Sequence, residues 1–101
     1  MATVQERIKA MERAGAGLLV DQTLKKLVGF QLQKYQRQAE AVRGQLAPFE
    51  EQYGMSSEDC YRRFMAGELG DSADLIEWVG LYENLLLFQD RMETLQAAAE
   101  A

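Results

Sequence analysis

The chain has 101 residues, 11 Lys or Arg against 16 Asp or Glu, no histidine and one cysteine, for a formal charge of -5. That length sets one domain over 1–101, near the size at which association with a second chain often completes a core. Without histidine there is no imidazole for general acid–base work and nothing to make a thiolate of Cys60 by pairing, so we expect no enzymatic activity and no cofactor or metal.

One proline, eight glycines and abundant Ala, Leu, Glu, Gln, Lys and Arg point to an all-α fold. A single cysteine cannot form an intramolecular disulfide, and the opening run "MATVQERIKAMERAGAG" is charged early and lacks an apolar stretch of signal-peptide length. A cytoplasmic location is the expectation. No apolar run approaches the about 20 residues that a bilayer span needs, so no membrane association is expected. The net charge conceals an asymmetry. Residues 1–45 contain eight Lys or Arg and four Asp or Glu, while residues 46–101 contain three and twelve. Such halves either neutralise each other within the fold or display an acidic surface to a basic partner.

In chain order, Thr3 to Ala14 forms a short amphipathic segment with Val4, Ile8 and Met11 on one face, ended by "GAG". Gly15 and Gly17 are helix stops, and residues 1–17 form either a docked or a mobile arm. From Asp21, a candidate N-cap, to Tyr53 runs a long helix. Val28, Tyr35, Val42 and Phe49 recur every seven residues, as do Leu32, Ala39, Leu46 and Tyr53, which is the spacing of a packed helical seam. Pro48 lies inside it and predicts a kink, eased by Gly44 four residues earlier.

Gly54 ends the long helix in a left-handed cap. Ser56 then starts a short helix over about 57–66, with Asp59 at its third position and Met55 and Cys60 as a hydrophobic staple, and Gly67 stops it. Cys60 reads as a small apolar residue beneath a turn. After "GELGD", Asp71 or Ser72 caps a third major helix over about 72–98. Trp78, Leu81, Leu85, Phe88, Met92, Leu95 and Ala99 form its seam, widened by Leu75, Val79, Tyr82 and Leu86. The expected architecture is an antiparallel helical hairpin of two long helices with coiled-coil-like packing and the short helix at the bend. Two helices cannot bury all of these stripes, so a homodimer or a docked partner is expected to cover the remainder.

The acidic residues Glu58, Asp59, Glu68, Asp71, Asp74 and Glu77 admit three readings. Several stand in first turns of helices, where negative charge favours the macrodipole by about 0.3–1 kcal/mol each. A divalent metal site would need converging oxygens, and no calcium-loop spacing is present. The third reading is a docking surface for a basic protein.

The run "FEEQYGMSSEDCYRRFMAGELGDSADLIEWVGLYENL" resembles small helical proteins encoded beside toxins in prokaryotic toxin–antitoxin modules. There an aromatic, an acidic pair, Tyr-Gly-Met-Ser, Gly-Glu-Leu-Gly-Asp and Glu-Trp recur in order. Phe49, Tyr53, Gly54, Met55, Ser56, Phe64, Gly67, Glu68, Leu69, Gly70, Asp71, Glu77, Trp78 and Tyr82 carry the resemblance, which spans about residues 24–95. The family carries bulkier aromatics where this chain has Cys60, Leu75 and Ile76. The resemblance implies an antitoxin-like role, in which the protein binds and neutralises a cognate toxin, often a ribonuclease. On that reading Glu68, Asp71, Asp74 and Glu77 make the electrostatic contact, and the unburied part of the Leu75, Val79, Tyr82 and Leu86 stripe supplies apolar anchoring. A structural coiled-coil homodimer or adaptor without a toxin partner is the alternative. Direct nucleic-acid binding is not expected. Arg7, Lys9, Arg13, Lys25, Lys26, Lys34, Arg37 and Arg43 supply positive charge, but no helix-turn-helix or ribbon signature organises them.

Overall fold

Thr3 opens the first helix by accepting the Glu6 amide on its hydroxyl at 3.1 Å, which satisfies one of the donors that a helix start leaves unpaired. In this computed structural model, which describes residues 1–100, helix α1 (Val4–Met11) leads into a wide turn, Glu12–Ala16. Gly15 makes the corner there with φ 91 and ψ 9, a left-handed conformation that an L side chain resists. Residues 1–17 are therefore a folded-back arm. Ile8 and Met11 line an apolar crevice of about 230 Å³ with Leu19, Val20, Thr23 and Leu24 of the next helix.

That next helix, α2 (Gly17–Tyr53), begins four residues before Asp21. Asp21 is not its cap; the carboxylate instead pairs with Lys25 one turn on, at 3.2 Å. Once Gly15 has made the corner, nothing in "GLLVD" breaks the helix, so the start moves back to the turn. The helix is unbroken through Pro48 and ends at Gly54, whose φ of 65 lets its amide reach the Glu50 carbonyl at 2.9 Å.

Ser56 caps helix α3 (Ser57–Met65) by accepting the Asp59 amide at 3.1 Å. Gly67 and Glu68 then donate back to the carbonyls of Phe64 and Arg63, the two bonds of a Schellman motif. Ser72, rather than Asp71, caps helix α4 (Ala73–Glu100), accepting the Leu75 amide on its hydroxyl at 3.3 Å.

The described residues are helical apart from the turns, and α2 packs along α4. Tyr53 meets Asp74 and Trp78, Phe49 meets Trp78, and Tyr35 meets Phe88 and Arg91, so the two helices run in opposite directions. The molecule measures 60 × 25 × 21 Å. No helix among the described residues is long and apolar enough to cross a membrane.

Burial along the seam is uneven. Ala39, Val42, Leu46, Cys60, Leu75, Trp78, Val79 and Leu85 form one buried cluster, all near the bend. Val28, Leu32 and Tyr35, which share the same seven-residue pattern, are only half-buried. The reason is geometric. At the bend three helices meet and a side chain can be enclosed, whereas between Val28 and Tyr35 α2 has only α4 beside it.

Candidate functional site

A three-residue polar chain locks the bend. The Trp78 Nε1–H donates to the Ser57 hydroxyl at 2.8 Å, and that hydroxyl and the Ser57 amide both donate to one oxygen of Glu50 at 2.9 Å. The chain ties α4 to α3 and α3 to α2. Trp78 is 0% exposed, so its indole N–H has no access to water and depends on Ser57. Phe49 and Tyr53 stack on the same indole at centroid distances of 5.7 and 5.5 Å.

This rigid corner carries the acidic residues at its surface. The Schellman motif fixes the Glu68 backbone, and its carboxylate turns back to Arg63 at 3.6 Å, an exposed pair of small energetic weight. Leu69 packs against the core and pins the connecting segment, which leaves Asp71 exposed beside the Ser72 cap. Asp74 lies in the first turn of α4, where the helix N-terminus favours its charge, and accepts the Tyr53 hydroxyl at 2.8 Å. That hydrogen bond to a carboxylate is the main cause that raises the Tyr53 phenol above its ordinary range. Glu77 is exposed one turn further on.

The apolar stripe divides. Leu75 and Val79 are buried in the core cluster and do not belong to the unburied part of the stripe. Tyr82 is half-buried against Tyr61, with ring centroids 5.4 Å apart, and its phenol is raised first by burial and then by Glu58 and Tyr61. It lines an open crevice of about 330 Å³ with Arg43, Glu50, Glu58 and Leu85. Leu86 is exposed. At about 100° per residue, Leu86 lies half a turn out of phase with Glu77, so the two project from opposite sides of α4. The expected residues thus surround one end of the molecule and do not form a single flat patch. Among the described residues, no group of three or more His, Cys, Asp or Glu side chains is placed to hold a metal ion.

Cys60 is 1% exposed, and burial pushes its thiol up, partly opposed by the Arg63 charge. This is the small apolar residue under the turn that the staple pattern implied.

Glu50 and Ser57 were not singled out in the sequence. The one signal for them is a serine placed directly after an N-cap serine, seven residues beyond a glutamate across a Gly turn.

The ion pairs give the charge asymmetry its meaning. Those among the described residues are Lys25–Asp21, Arg62–Asp59 and Arg63–Glu68. Each lies within one charge half, and none joins residues 1–45 to residues 46–101. The halves lie along one another but do not neutralise each other by contact. No family model, no curated protein and no solved structure matches this chain.

Proposed function

We propose that the protein is a non-catalytic binding module with an antitoxin-like role. Its acidic end engages a basic cognate toxin, of the ribonuclease type, and covers the surface with which that toxin would grip phosphates. The scaffold is an antiparallel hairpin with a coiled-coil-like seam, and its bend presents the charge. One observation carries the reading. Among the described residues, Asp71 and Glu77 have no cation within 4 Å, although the chain contains eleven, and the sole pairing at Glu68 is with an adjacent exposed arginine.

A nuclease must present positive potential to its substrate, and an acidic end on a rigid bend meets that potential with long-range attraction, which speeds encounter. The Trp78–Ser57–Glu50 chain holds the acidic segment still, so little ordering is required on binding.

The test begins with co-purification of the full chain from its native cells and identification of any stoichiometric basic protein. Asp71→Asn, Glu77→Gln and Glu68→Gln together should then weaken that complex at least about tenfold, steeply dependent on salt, while the far-ultraviolet circular dichroism stays unchanged. Asp74→Asn is kept apart, because it also removes the Tyr53 hydrogen bond. A complex whose affinity ignores both the substitutions and the salt would remove the acidic end from the site.

A further inference from the structure

The end of the molecule opposite the bend carries an apolar face that the chain covers only in part, where the arm meets Leu19 and Thr23. Leu19, Leu27 and Phe30 are 57%, 53% and 65% exposed, and their spacing of eight and three places them on one side of α2 with Thr23 between them. That side points away from α4, toward which α2 turns Tyr35, Ala39, Val42 and Leu46. The folded-back arm reaches Leu19 and Thr23, and Leu27 and Phe30 lie beyond the crevice it forms.

Lys26 and Arg37 follow the same side of the helix, Lys34 stands at its edge with its ammonium 5.2 Å over the Tyr35 ring, and none of the three has a carboxylate within 4 Å among the described residues. A face that is apolar at its centre and basic along its length calls for an occupant that is apolar and acidic. The bend of this same chain fits that description. There Met65 ends α3 and Ile76 stands in the first turn of α4, both exposed, and Asp71 and Glu77 carry charges that are equally unpaired among the described residues.

The two ends cannot satisfy one another within one molecule. Lys26 stands toward the far end of α2 and Lys34 near its middle, both several helical turns from the bend, while salt screens exposed charges beyond about 8 Å. A second copy, reversed end for end, brings each basic apolar end beside an acidic apolar end. The two-fold axis then repeats the contact and closes the assembly.

We propose that the Leu19, Leu27 and Phe30 face is occupied by a second copy of this chain, packed antiparallel so that Lys26 and Lys34 of each molecule meet the Asp71 and Glu77 end of the other. The assembly needs no foreign partner, so it stands or falls separately from the toxin-binding reading.

The experiment is sedimentation equilibrium on the full chain at several concentrations, in low and in high salt. A dimer that weakens as salt rises is expected. Leu27→Glu with Phe30→Glu should weaken it at least about tenfold while the far-ultraviolet circular dichroism stays unchanged. A charge exchange tests the orientation. One chain carries Lys26→Glu and Lys34→Glu, and another carries Asp71→Lys and Glu77→Lys. Each alone should be monomeric, because like charges meet at both contacts. Their mixture should form a heterodimer, because both contacts are again complementary. A chain that stays monomeric at every concentration would overturn the proposal, as would a dimer indifferent to the Leu27 and Phe30 changes or a mixture that shows no preference for the heterodimer. A monomer that binds vesicles of anionic phospholipid through this face would overturn it in favour of a membrane surface.

Discussion

Replacing Ser57 by alanine isolates the polar chain at the bend. The substitution removes the acceptor of the Trp78 N–H and one of the two hydrogen bonds that Ser57 donates to Glu50. Trp78 has no exposed surface, so its N–H is stranded, which costs about 1–3 kcal/mol. Glu50 is half-buried and keeps the Ser57 amide, so its loss is smaller. The expected total is about 2–3 kcal/mol, which for a domain of this size lowers the melting temperature by roughly 10–20 °C. Urea denaturation followed by far-ultraviolet circular dichroism measures it. Ser56→Ala supplies the comparison, because it removes only a helix cap, worth about 1 kcal/mol. Trp78→Phe supplies the second arm. It deletes the donor, so adding Ser57→Ala to it should cost less than the same change in the native chain. If Ser57→Ala costs no more than Ser56→Ala, or costs the same with and without the indole N–H, the chain is not what locks the corner.

Gly54→Ala should destabilise by about 1–2 kcal/mol in thermal melts; the added Cβ meets no neighbour, so the whole cost is the positive φ of 65. Pro48→Ala should raise the urea midpoint, by up to about 3 kcal/mol of stability, because it restores a hydrogen bond inside α2 at an exposed position. Cys60, Tyr53 and Tyr82 all have raised proton affinities in the folded state, from burial at Cys60 and Tyr82 and from the Asp74 hydrogen bond at Tyr53. Their contribution is therefore complete below about pH 9 and is lost as pH rises through the folded values, which a pH series of denaturation midpoints should show as a fall on the alkaline side only.

Local signals in the sequence carried the bend well. Gly54, Ser56 and Gly67 mark their caps because each occupies a position that few other residue types serve, and the structure uses all three. The long seven-residue pattern also located the α2–α4 contact. It could not show how deeply each position is buried, since Tyr35 and Val42 look alike in the pattern and differ because α3 covers only one end of the seam. The sequence points to Asp21 as the start of α2 because a good capping residue stands inside a helix already begun by the turn at Gly15. The division of the apolar stripe was likewise illegible. Leu75 and Val79 belong to the core and Leu86 to the surface, a distinction set by where α2 and α3 lie. The Glu50–Ser57–Trp78 chain joins three elements, and no spacing rule within one helix anticipates it.

The two proposed uses of the acidic end are mutually exclusive, and this gives them a joint consequence. A second copy seated over Asp71 and Glu77 covers the surface that a basic partner requires. Free protein above its dimer dissociation constant then holds most of that surface occupied, and the partner's apparent affinity falls in proportion to the fraction left open. The Leu27→Glu, Phe30→Glu chain provides the measurement. Its acidic end is unaltered, yet it lacks the face that grips the other copy, so a basic partner should bind it more tightly than it binds the native chain, with the gap widening as the native chain is concentrated. Equal affinities at all concentrations would mean that dimer and partner use separate surfaces. The unpaired charges at the two ends would then need separate explanations.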